Sequence, residues 1–231
     1  AAWWSEGWQV FMAAPGIWIA IILVFVLIML GLAFVPILGS IAGSVLTPVF
    51  GGGIALGCHA LAKGRPLTPA HLFAGFSGAR FMPLVIVGLI YLGAMFVLWI
   101  AVAAVVLGVA GGAGLFSALS SDASQMGMAL LSSIGIVALV MAPLAMVAVA
   151  ALTMAYWFAP PLIVLNGEEP IAAMKKSFRA CWVNVGATLV YGLIWIGLAI
   201  VASIPFGLGW IVLAPVMAGS WYASWRETFD A

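Results

Sequence analysis

Cys58, His59, His71 and Cys181 are the side chains of this chain best suited to hold a soft metal or to act as nucleophile and base. A structural zinc takes four such ligands, normally delivered as two close pairs of the CxxC or HxxxH kind. Here Cys58 and His59 are adjacent, His71 stands alone and Cys181 comes from a distant segment, so no compact zinc signature is present. A Ser or Cys nucleophile paired with His59 or His71 has no local motif around it. The triple glycine Gly51-Gly52-Gly53 is followed by no Lys-Ser/Thr and is not a phosphate loop. Buried thiols and interfacial histidines are the ordinary reading, and the residues imply no cofactor, no metal and no catalytic group.

Lys175, Lys176 and Arg179 form the densest basic cluster, in a stretch with amphipathic spacing. Such a cluster beside a membrane span either binds anionic head groups or serves as an orientation signal with no ligand. Nucleic-acid binding is excluded, because seven Lys and Arg in total cannot make a basic surface of the size required.

The elements that must carry these residues are set by composition. The 231 residues are 67% hydrophobic and 6% charged, against roughly 25% charged in a soluble domain. So few charges cannot coat a water-facing surface, and hydrocarbon must cover most of the protein. Crossing the hydrocarbon core takes about 20 apolar residues in a helix. Six runs meet this expectation: residues 17–35, 41–62, 83–110, 128–165, 185–204 and 210–225. The first should end in a turn at Pro36–Gly39, the fifth in a turn at Pro205–Gly209. The fourth, 38 residues, would measure about 57 Å and should kink or end early at Pro143 or at Pro160-Pro161. A mildly polar stretch with Asp122 precedes it.

All seven basic residues then fall on one side: Lys63, Arg65 and Arg80, then Lys175, Lys176 and Arg179, then Arg226. The positive-inside rule places both termini in the cytoplasm. The expected fold is an all-α integral membrane protein of six transmembrane helices, arranged as three hairpins in one membrane domain. Short amphipathic cytoplasmic segments, Trp3–Ala14, Thr68–Arg80 and Glu169–Trp182, should enter each hairpin. In the second, Thr68 and Pro69 suit the N-cap and N1 positions. Internal similarity suggests repeats over 1–62, 63–165 and 166–231, since Leu46-Thr47-Pro48-Val49 matches Leu213-Ala214-Pro215-Val216 and Pro66 matches Pro170.

No charged residue lies inside the six runs as drawn, which disfavours ion coupling at the midplane. The second run is instead dense in small residues. Gly39 with Gly43, Ser40 with Ser44 and Gly53 with Gly57 have the small-xxx-small spacing that lets helix backbones approach, and are expected to pack helices.

Asn166-Gly167-Glu168-Glu169-Pro170 followed by Lys175-Lys176-Ser177-Phe178 resembles uncharacterised six-span inner-membrane proteins of proteobacteria, as do Gly7–Phe11, Ala14–Trp18 and Gly219–Arg226. That group is distantly similar to the membrane domain of glycerophosphodiester phosphodiesterases. The resemblance implies a bacterial inner membrane and six helices, and it carries no catalytic residue. Together these readings point to a non-catalytic protein acting through its surface, as an accessory or scaffold subunit packed against other membrane subunits or as a lipid organiser. The alternative is a transporter or channel for a neutral or lipid-like solute, whose polar path would be lined by residues such as Ser44, Thr47, Ser133 or Thr153. A membrane-embedded enzyme ranks third.

Overall fold

The computed structural model describes the backbone of residues 2–118 and 123–230, and the side chains among them except those of 110, 112–134, 136 and 138. Asp122 and the Ser133 side chain lie outside the described residues. Among the described residues the chain is all-helical: α1 (Ala2–Ala13), α2 (Pro15–Ala33), α3 (Pro36–Ala62), two 3-10 segments (Pro69–Phe76 and Gly78–Arg80), α4 (Phe81–Ala118), α5 (Ala123–Trp157), α6 (Ala159–Asn166), α7 (Pro170–Val183), α8 (Val185–Ser203) and α9 (Trp210–Phe229).

Proline sets four of the starts. Pro15, Pro36, Pro69 and Pro170 each begin an element at a position whose N–H would have no helical partner in any case. This corrects the expected turn at Pro36–Gly39: the turn is Phe34-Val35, and Pro36 is already helical. The Thr68–Arg80 segment is 3-10 rather than α-helical, with Pro69 at its start as expected and the Thr68 N–H donating to His71 Nδ1 at 3.1 Å. Two helices end alike. Gly64 after α3 and Gly167 after α6 are left-handed, with φ of 69° and 70°. The next residue's N–H then returns five positions, Arg65 to Ala60 at 2.8 Å. After α6 the return is six positions, from the Glu168 N–H to the Leu162 carbonyl at 3.2 Å.

Among the described residues, five helical stretches are long and apolar enough to cross a membrane: Pro15–Ala33, Pro36–Ala62, Gly78–Val109, Leu139–Asn166 and Val185–Ser203. The sixth expected run is helical as α9, but Ser220, Tyr222, Ser224 and Arg226 dilute it below that level. The helix also runs on to Phe229, past the predicted end at Trp225. The long fourth run is helical through Pro143 and breaks at Phe158, two residues before Pro160-Pro161.

The chain divides into two compact units, residues 1–90 with 154–231, and residues 91–153. In the first, Trp18, Ile21, Val49, Phe50, Leu72, Leu84, Val87, Leu162 and Trp225 fill one core. Phe50 meets Phe25, Phe73 and Phe76 edge-on, with ring centroids 5.4, 6.2 and 5.1 Å away. The second unit presents an apolar groove lined by Trp99, Val102 and Val106 of α4 and by Val137, Met141 and Ala145 of α5.

Candidate functional site

Apart from Asp122, every charged side chain belongs to the first unit, on α1, α7, α9 and the Asp230 cap after it, and on the connections that follow α3 and α6. The α1–α9 crossing is a close one. Gly7 and Gly219 face each other, and a Cβ on Gly219 would sit 2.9 Å from the Gly7 α-carbon. Backbones this close permit polar closure around them: Arg226 pairs with Glu6 at 2.6 Å, and the Trp3 indole N–H donates to Glu227. Nearby, His59 Nδ1 and the Tyr222 hydroxyl share a hydrogen bond of 2.9 Å, which ties α3 to α9. The buried Cys58 thiol points to the Ala218 carbonyl at 3.7 Å.

The second constructed feature is the α5–α6 break. Pro160 and Pro161 carry no N–H, so carbonyls one turn earlier lose their helical partners. Two side chains from other helices enter the ladder here, one bridging it and one replacing a lost donor. The Ser177 hydroxyl of α7 accepts from the Phe158 N–H at 2.8 Å and donates to the Met154 carbonyl at 2.6 Å, inserting itself between groups that would otherwise bond directly. The Trp221 indole of α9 donates to the Trp157 carbonyl at 2.9 Å, the place Pro161 cannot fill. Ser177 is fully buried.

Cys181 is buried on α7, and burial pushes its thiol up to about 11. His71 is taken up in the turn it starts, its Nδ1 3.0 Å from the Thr68 hydroxyl. Among the described residues, no three His, Cys, Asp or Glu side chains converge on a point that could hold a metal.

The small residues singled out by spacing separate into distinct environments. Gly39 lies against the backbone of Leu32, where a Cβ would collide with that carbonyl, whereas a Cβ on Gly43 would meet the Met29 sulfur at an ordinary 3.8 Å. Gly53 abuts the backbone of His71 and Leu72, and Gly57 abuts the Leu67 side chain. Ser40 and Ser44 are exposed, and each donates to the carbonyl four residues back, at 2.6 and 2.8 Å. Thr47 and Thr153 do the same, at 2.7 and 2.8 Å. In the basic cluster, Lys176 pairs with Glu168, while Lys175 and Arg179 are exposed with no carboxylate within ion-pair distance among the described residues. Ser177, Trp221, Gly7 and Gly219 fall in the segments that carry the resemblance, but the sequence assigns none of them a role in a site. The available signal was Pro160-Pro161, which announces carbonyls in need of donors without saying where the donors come from.

One curated relative is similar over almost the whole chain: a probable inner membrane protein of Burkholderia thailandensis, 29% identical over 224 residues, covering 96% of this chain and 79% of the relative. No family model matches the chain, and no solved structure matches it. The likeness to bacterial inner-membrane proteins is thereby supported, and nothing supports the link to glycerophosphodiester phosphodiesterases.

Proposed function

We propose that the chain is a non-catalytic integral protein of a bacterial inner membrane that works through its surface, as an accessory or scaffold subunit for other membrane proteins. The observation that carries this reading is how the polar groups of the spans are used. The hydroxyls of Ser40, Ser44, Thr47, Thr153 and Ser203 all donate to carbonyls of their own helices, so none of these five holds its proton out to a solute. Two ion pairs brace the helices, Arg226 with Glu6 joining α9 to α1 and Lys176 with Glu168 joining α7 to the turn after α6. A transporter for a polar solute would leave hydroxyls free to exchange partners with its cargo.

The topology belongs to the same proposal: six spans in three hairpins, α9 included, with both termini cytoplasmic. A repeat is favoured by the left-handed corners at Gly64 and Gly167, each followed closely by the matched Pro66 and Pro170. Buried Pro48 and Pro215 at matching places in α3 and α9 favour it as well. The test is extraction of the native membrane in mild detergent and in polymer-bounded lipid discs, with chromatography and mass spectrometry of what travels with the chain. Other integral membrane subunits are expected in fixed ratio. A lone monodisperse particle under both conditions would sink the scaffold reading.

A further inference from the structure

We propose that the outer face of α7 is a docking surface for anionic phospholipid, with Lys175 and Arg179 as the cations that meet the phosphate and Phe178 and Trp182 as the interfacial anchor. The helix has two sharply different faces. Pro170, Ala173, Met174, Ser177 and Cys181 turn into the core. Ile171, Lys175, Phe178 and Trp182 recur at the spacing of one helical stripe on the opposite side, with Arg179 beside them. Their apolar members are not covered: Ile171 is 59% and Trp182 65% exposed.

Water is a poor solvent for that stripe and hydrocarbon a poor solvent for its cations. The boundary between the two suits both, since an aromatic ring sits well at head-group level and long basic side chains reach outward from it. Phe178 and Trp182 stack with ring centroids 6.0 Å apart and planes 18° from parallel, which gives the stripe one flat aromatic surface. The stripe is also continuous with the membrane: only Asn184 separates α7 from α8, which is apolar enough to span, and Val183, Val185 and Leu189 carry the exposed apolar surface onward. The three basic residues are not equivalent. Lys176 lies off the stripe and is neutralised by Glu168. Lys175 and Arg179, one turn apart on the exposed side, form the charge-complementary pair for a phosphodiester. This inference rests on the membrane reading of the chain and is independent of the scaffold role.

The test uses the purified full-length protein, with phosphatidylglycerol and phosphatidylcholine as probes and bound lipid read by native mass spectrometry. Wild type should prefer phosphatidylglycerol, and the preference should shrink as ionic strength rises. Lys175→Gln with Arg179→Gln should weaken phosphatidylglycerol binding roughly tenfold, while Lys176→Gln leaves it unchanged. Undiminished binding in the double variant, or an equal loss in Lys176→Gln, overturns the proposal. If the double variant fails to assemble, the wild-type titration decides, and a preference that ignores ionic strength is equally fatal. Loss of copurifying subunits with lipid preference intact counts against the scaffold reading alone.

Discussion

Trp18 and Trp225 are both almost fully buried, at 0% and 2% exposure, yet their indole nitrogens fare differently. Trp18 donates to the Val10 carbonyl at 3.0 Å, whereas the Trp225 N–H is buried with no partner among the described residues. Replacing each by Phe changes ring size equally, so the pair isolates the hydrogen bond. Trp18→Phe strands a carbonyl and should cost about 1–3 kcal/mol beyond the lost contact area, while Trp225→Phe removes an unsatisfied donor and recovers a similar amount. Thermal unfolding in detergent should therefore fall clearly further for Trp18→Phe. Equal losses would contradict this. Such distinctions are not legible in a sequence. Lys175, Lys176 and Arg179 read as one cluster until Glu168 is seen to occupy the middle one. Ser177 reads as a small polar residue between Lys176 and Phe178 until the broken ladder of α5 is seen to pass through its hydroxyl.

The sequence was more informative about elements. The entry segments at Trp3–Ala14 and Glu169–Trp182 are helices within a residue or so of the expected ends, because proline and amphipathic spacing are local signals. The Thr68–Arg80 segment was placed correctly but coils more tightly, since the backbone of Val49 lies against Gly75 and that of His71 and Leu72 against Gly53. Small-residue spacing, by contrast, could not rank glycines that look alike in α3. Gly39→Ala should force α2 and α3 apart and lose about 2 kcal/mol or more, because the colliding atom is a backbone carbonyl of Leu32 that cannot rotate away. Gly43→Ala should be neutral or stabilising by up to about 1 kcal/mol, since its new methyl finds ordinary contact with Met29 and the helix gains a better former. Parallel melting curves of the two variants check this, and a reversed order would refute it.

At the scale of the whole molecule, composition alone identified the solvent, because seven basic and six acidic residues cannot solvate 231. The number of crossings was less legible: α9 carries enough Ser, Tyr and Trp to blur its signature, although it is as long as α2 or α8. If α9 spans, a green fluorescent protein fused after Asp230 should fluoresce, and alkaline phosphatase inserted at Gly207 should be active. A dark C-terminal fusion with an inactive insertion would reverse the proposed orientation. The repaired break between α5 and α6 also has a bearing on biosynthesis. Residues 154–166 leave the ribosome long before Trp221 exists, so the Trp157 carbonyl must wait for the last helix to supply its donor. The fourth apolar run therefore cannot reach its final hydrogen bonding as it is inserted. In this order α9 is a late-arriving latch, and a chain arrested before it lacks the indole donor that closes the Trp157 carbonyl.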